Sequence, residues 1–180
     1  MPRSWEELES EEIQDCRVFK VRKTLVRAPR TGGVHDFYRI ESPDWVNVIP
    51  LTPQDDVVMV RQWRHGTRTV TLEIPGGMVD PGEDAAQAAA RELLEETGYR
   101  AREVTPLGAL SPNPALFGNR LHIFLATGCE RVAAIRNDGT EETEVELVPL
   151  RDMDRLVASG VVDHALVVAG LHLHALRRAR

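Results

Sequence analysis

Glu92, Glu95 and Glu96 sit close together in an alanine-rich stretch, DAAQAAARELLEETG, and carboxylates at that spacing can hold a cation between them. Written onto a helix at about 100° per residue, they fall within about 100° of arc. Ala86, Ala90, Leu93 and Thr97 fall opposite, which predicts one core face and one carboxylate face. Glutamate is a good helix former, so such a cluster is often only a solvated surface. Carboxylates one turn apart repel, however, and Arg91 is their one cationic neighbour on the helix, so a bound cation would relieve the cluster. With oxygen donors and no Cys or His alongside, the ion expected is Mg2+ or Mn2+ rather than zinc.

The helix has clear limits in the sequence. Pro81 and Gly82 make a loop, Asp84 stands where a helix is capped, and Gly98 stands where it stops. Around it the order is Gly77, five residues, Glu83, seven residues, Arg91-Glu92-Leu93, one residue, Glu95-Glu96, one residue, Gly98 and Tyr99. These fixed positions over 23 residues resemble the complete Nudix box, with Tyr99 where the family more often has an aliphatic residue. The resemblance implies an α+β fold, the Nudix-type α/β/α sandwich with a mixed β-sheet. It also implies a metal-dependent hydrolase of a nucleoside diphosphate linked to another group. Glu92, Glu95 and Glu96 would be the metal ligands, Arg91 would orient them, and Glu83 would pair with Arg91.

The neighbouring segments RQWR and LEIPGG resemble the Nudix branch that cleaves ADP-ribose and nucleotide sugars. By that resemblance Arg61 and Arg64 contact substrate, Glu73 lines the site and the Gly76 carbonyl is a further metal ligand. A salt bridge on a strand accounts for either arginine equally well, because guanidinium suits phosphate and carboxylate alike. Glu73, set among Leu72, Ile74 and Pro75, needs a metal or an arginine as partner. Pro114 lies fifteen positions past Tyr99, in a loop that resembles one of this branch and also carries Asn119 as a candidate ligand contact. Turn chemistry and backbone bonding are the ordinary roles of such residues. Glu141, Glu142, Glu144 and Glu146 follow a turn at Asn137-Asp138-Gly139. A solvated charge patch is the plain reading, with alternation putting Glu144 and Glu146 on one exposed face. The resemblance makes this the loop that brings a catalytic glutamate to the metals, Glu141 matching best and Glu142 and Glu144 less well.

The activity so implied is hydrolysis of the pyrophosphate of ADP-ribose or a related nucleoside diphosphate sugar, with roughly two or three Mg2+ or Mn2+ ions. A nucleoside triphosphate pyrophosphohydrolase and a non-catalytic nucleotide-sugar sensor are the alternatives. Every box carboxylate is present, which argues for the enzyme over the sensor.

Several elements must position these groups. CRVFKVRKTLVRA and VHDFYRIES read as a hairpin across the turn RTGG, WVNVIPLT and VVMVRQWR as strands, and TVTLEIPGG as the approach to the box. AREVTPLGAL, LHIFLAT and VELVPL are further strands, RDMDRLVASG a short helix and VVDHALVVAGLHLHALRRAR a longer one. His172 and His174 do not share a helical face, so His164, His172 and His174 make no metal set. The expected division is a β-rich element over 1–43, which in the resembling branch exchanges between the subunits of a homodimer, and a hydrolase domain over 44–180.

At 180 residues, with 42% hydrophobic and 28% charged residues, the chain suits one catalytic domain with a full core. Its formal charge of −6 argues against a dedicated nucleic-acid binder. No run of about 18 apolar residues suits a membrane span, and MPRSWEELESEE lacks the apolar segment of a signal peptide. Cys16 and Cys129 form no metal-spaced pair and are expected as free thiols, which together predicts a cytoplasmic protein.

Overall fold

The computed structural model describes residues 1–137, 139 and 142–178. The chain divides into two units, 1–44 with 111–120, and 45–110 with 121–180.

In the first unit β1 (Glu6–Asp15), β2 (Lys20–Arg27) and β3 (Val34–Glu41) form an antiparallel sheet in that order. The hairpin of β2 and β3 lies where the sequence alternation put it. Strand β1 is new, because EELESEEIQD reads only as an acidic opening of poor strand propensity. Cross-strand charge pairing overrides that propensity: Glu12 meets Lys20 at 2.8 Å, Glu6 meets Arg27 at 3.0 Å and Glu7 meets Arg39 at 3.3 Å. Residues 111–120, which the sequence reading left with the hydrolase part, join this unit. There the Ile40 N–H donates to the Leu116 carbonyl and the Asn119 amide donates to the Pro43 carbonyl, both at 2.8 Å.

The second unit runs β4 (Trp45–Leu51), β5 (Asp56–Arg64), β6 (Thr69–Glu73), β7 (Gly76–Met78), α1 (Ala85–Thr97), β8 (Tyr99–Arg100), β9 (Glu103–Leu110), β10 (Leu121–Thr127), β11 (Glu130–Arg131), β12 (Thr143–Pro149), α2 (Met153–Ala158) and α3 (Ala165–Arg178). Among the described residues, seven strands form one sheet, ordered β12-β5-β4-β10-β9, with β6 paired to β5 and β7 to β4. Strands β4 and β10 run parallel and the other pairs antiparallel, so the sheet is mixed. The strands VNVIPL and VVMV are apolar on both sides because both faces are covered. Val46, Val48, Val58 and Phe124 pack against Ala88, Ala89 and Leu93 of α1. Ile49, Leu51, Val57, Met59 and Ile123 form the opposite core with Val167 of α3. The result is an α/β/α sandwich, and no helix of the described residues is long and apolar enough to cross a membrane.

His174 on α3 is 5% exposed, and neither ring nitrogen has a hydrogen-bond partner. Burial, reinforced by the Arg178 charge, holds its pKa below the ordinary histidine value. The unfolded chain therefore binds this proton more readily than the folded one, so stability is full above roughly pH 6.5 and falls as the pH drops below it. His174→Leu is expected to remove that acid-side loss and to add about 1 kcal/mol at pH 5 by deleting an unpartnered buried polar group. Urea melts at pH 5 and pH 8 check this, and an acid limb unchanged in the variant would show that other groups set it.

Candidate active site

The site is built on α1, whose limits follow from local chemistry. The Asp84 carboxylate accepts the Ala86 N–H at 2.8 Å, and Gln87 returns the bond to the Asp84 N–H, completing a capping box. Gly98 ends the helix at φ 74°, a left-handed conformation that favours glycine. A Cβ there would also strike the Ala133 carbonyl.

The buried arc of α1 differs from the expected one. Leu93 and Thr97 are buried as predicted, but Ala90 is exposed, Ala86 is half-buried, and Ala88 and Ala89 go fully inside. Glu96 is only 4% exposed, so the carboxylate face and the core face overlap where the helix meets β7. The Gly76 N–H at the head of β7 donates to Glu96 Oε2 at 3.1 Å. Gly77 lies over Glu92, and a Cβ at that position would fall onto the Glu92 carboxylate. The box glycine is thus what lets β7 lie against that side chain.

Arg91 organises the remaining acids. Its Nε and one terminal nitrogen grip Glu83 at 2.9 Å each, while the other terminal nitrogen reaches Glu92 at 2.8 Å and Glu95 at 3.2 Å. It also donates to the Met78 carbonyl at 3.1 Å. These bonds, the Glu83 fork above all, hold the Arg91 pKa well above its usual value, and the same fork holds the Glu83 carboxyl below its own. Glu92 and Glu95 therefore converge on one cationic point. That point is the guanidinium itself, and among the described residues no three acidic, His or Cys side chains are grouped to hold a metal; the carboxylate oxygens on offer are of the type that suits hard divalent ions.

Two further pairs lie on β5. Arg64 grips Glu73 with both ends of its fork, at 2.8 and 2.7 Å, and the Thr71 hydroxyl adds a bond at 2.7 Å. Burial by itself would push the Glu73 carboxyl up, but the Arg64 fork and the Thr71 hydroxyl hold it below the ordinary value. His164 Nε2 stands 3.9 Å from the same carboxylate. The partner that buried Glu73 required is thus an arginine. Arg61 donates to Glu146 at 2.6 Å, so the strand salt bridge is realised, and Glu146 is held by an arginine rather than standing as the free surface charge that alternation suggested.

Of the other residues singled out in the sequence, Pro114 is exposed in a turn closed by Phe117 N–H on the Asn113 carbonyl at 2.8 Å. It and Asn119 belong to the first unit. Glu142 and Glu144 are exposed at the start of β12, and Glu141 lies outside the described residues. The sequence reading missed Thr143, which is buried and donates its hydroxyl to the Glu96 carbonyl at 2.8 Å. One threonine in an acidic run carries no signal that could have revealed this.

Known proteins share the domain and the fold. The NUDIX domain model matches residues 42–170. The chain is 33% identical to an ADP-ribose pyrophosphatase of Bacillus subtilis, over 78% of this chain and 76% of that one. It is 33% identical to an ADP-sugar pyrophosphatase of Mus musculus, over 91% of this chain and 83% of that one. A crystal structure of an ADP compounds hydrolase superposes with a TM-score of 0.86 at 26% identity, covering 97% of this chain and 94% of that one.

Proposed function

The chain belongs to the NUDIX family, and from that premise and the carboxylates of α1 we propose that it hydrolyses the pyrophosphate bond of ADP-ribose or a related nucleoside diphosphate sugar. The products are a nucleoside monophosphate and a sugar phosphate. The observation that carries this reading is the convergence of Glu92 and Glu95 on the Arg91 guanidinium, with Glu96 buried beside them.

Enzymes of this family work with divalent metal, and Gly76 through its carbonyl with Glu92, Glu95 and Glu96 are the residues that would hold it here. We take the ions as Mg2+ or Mn2+, roughly two or three of them. Bound there, they supply Lewis acidity and positive charge against the charge that develops on the diphosphate. Arg91, fixed by Glu83, keeps two of the carboxylates aimed at one point before any ligand arrives. Arg61 and Arg64, each already ordered by a carboxylate, are suited to meet the anionic substrate with little further loss of side-chain freedom. Glu73 orders Arg64 from below the surface. A carboxylate of the 141–144 segment takes the proton of the attacking water.

A substrate panel read by phosphatase-coupled release, with ADP-ribose, GDP-mannose, UDP-glucose and nucleoside triphosphates, tests the function. ADP-ribose or another ADP-sugar is expected to be turned over best. Preference for a triphosphate would overturn the substrate class, and tight binding without turnover would overturn the enzyme.

The working form in this reading is a homodimer joined through the 1–43 element. In support, Trp5 and Phe37 stack edge to face at 5.6 Å while remaining 48% and 51% exposed, an apolar cluster that water covers poorly. Light scattering at micromolar concentration should give a dimer for the full chain and a monomer for Trp5→Lys combined with Phe37→Asp. A monomeric full chain would end the idea.

A further inference from the structure

The last carbonyls of a helix have no partner within it and must find one elsewhere. At the end of α1 the Leu94 carbonyl takes the Gly98 N–H, and the carbonyls of Glu95, Glu96 and the capping Gly98 find their partners between residues 132 and 143. Val132 N–H and Ala133 N–H donate to the Gly98 carbonyl at 2.9 and 3.1 Å, Arg136 N–H donates to the Glu95 carbonyl at 2.8 Å, and the Thr143 hydroxyl donates to the Glu96 carbonyl at 2.8 Å. Glu95 and Glu96 thus present carboxylates to the candidate site while their backbones hold the acidic segment. The Thr143 hydroxyl also lies 2.9 Å from the Asn137 side-chain amide, and since its single proton goes to the Glu96 carbonyl, it bonds Asn137 by accepting the amide N–H, with the amide turned over. Thr143 is 8% exposed, so water does not compete for these bonds.

We propose that Thr143 is a positioning residue whose hydroxyl locks the base of the acidic segment onto the Glu96 carbonyl, setting where its neighbouring glutamates stand relative to Glu95 and Glu96. The inference rests on the reading that this segment supplies the general base. The backbone anchors at Gly98 and Glu95 hold only the incoming arm. On the outgoing arm β12 pairs with β5 from Thr143 onward, and the Thr143 hydroxyl adds the side-chain bond that ties this point to α1, one residue from Glu142 and one from Glu144.

Thr143→Val keeps the shape of the side chain and deletes the hydroxyl, whereas Thr143→Ser keeps the hydroxyl. Single-turnover rates on ADP-ribose with saturating Mg2+ should fall about tenfold for the valine variant, the scale of one buried hydrogen bond. KM and the half-saturating Mg2+ concentration should stay within about twofold, and the serine variant should keep most of the wild-type rate. Placed on whichever of Glu141→Gln, Glu142→Gln or Glu144→Gln has lost kcat, Thr143→Val should add nothing further, because a removed base cannot be mispositioned. A wild-type rate in Thr143→Val, a full additive loss in that background, or a serine variant as slow as the valine one would each overturn the proposal. Should the valine variant fail to fold, Asn137→Ala removes the other half of the lock and is expected to lower kcat in the same non-additive way. A wild-type rate there would count equally against it. If none of the three glutamine variants loses kcat, the reading of the segment as the source of the base falls, and the proposal with it.

Discussion

Glu96→Gln is expected to give a folded protein whose kcat falls at least about a hundredfold, the loss that follows removal of a group stabilising the transition state. Two features of the fold separate this effect from unfolding. The bond from the Gly76 N–H needs only an acceptor oxygen, which glutamine retains, and the bond from Thr143 goes to the Glu96 main-chain carbonyl, which the substitution leaves in place. The apolar side of α1 is untouched, since Leu93, Ala88 and Ala89 hold it against the sheet. Neutralising a buried carboxylate also removes part of the repulsion with its neighbours, so melting in EDTA should occur at or above the wild-type temperature. Turnover close to normal at saturating Mg2+ would take Glu96 out of the ligand set.

The second large effect is expected at Glu141. Glutamates occupied in holding cations cannot also accept the proton of the attacking water, and general-base catalysis typically contributes about 10² to 10⁴ in rate. Glu141→Gln should therefore lower kcat by about that range, with little change in KM or in the Mg2+ concentration required. Glu142→Gln and Glu144→Gln, both at exposed positions, should lose far less. Glu146→Gln should act on KM instead, because its carboxylate holds Arg61. Small effects at Glu141, Glu142 and Glu144 alike would make the segment a solvated charge patch. A large loss at Glu142 or Glu144 instead would move the base to that residue.

The contrast between these residues shows where sequence reading reached its limit. Asp84 and Gly98 were legible as caps because a cap depends on a few consecutive residues and on the left-handed conformation that favours glycine, both properties of the local chain. The carboxylate cluster was legible because helical spacing fixes which side chains share a face. Which part of that face lies inside was not legible. Ala90 faces water and Glu96 faces the sheet, because the docking of α1 on β4, β7 and β10 sets its rotation, and neither hydrophobicity nor charge along the helix encodes that rotation.

Strand β1 shows the same limit in the first unit. Its glutamates disfavour a strand individually, yet β1 pairs along β2, where Glu12 and Glu6 meet Lys20 and Arg27, while Glu7 reaches Arg39 on β3.

By itself the sequence determined the box, its helix and caps and the likeness to the ADP-ribose branch, because each of these resides in residue types at short fixed spacings, and the phosphoanhydride chemistry is what that likeness implies. The tertiary structure decided the partners. Arg61 finds Glu146 from 85 positions away through the register of β5 with β12, Arg64 finds Glu73 through the register of β5 with β6, and Thr143 finds the Glu96 carbonyl from 47 positions away. Such pairings depend on which strands become neighbours and in what register, and that is set by packing of the whole core rather than by any one segment.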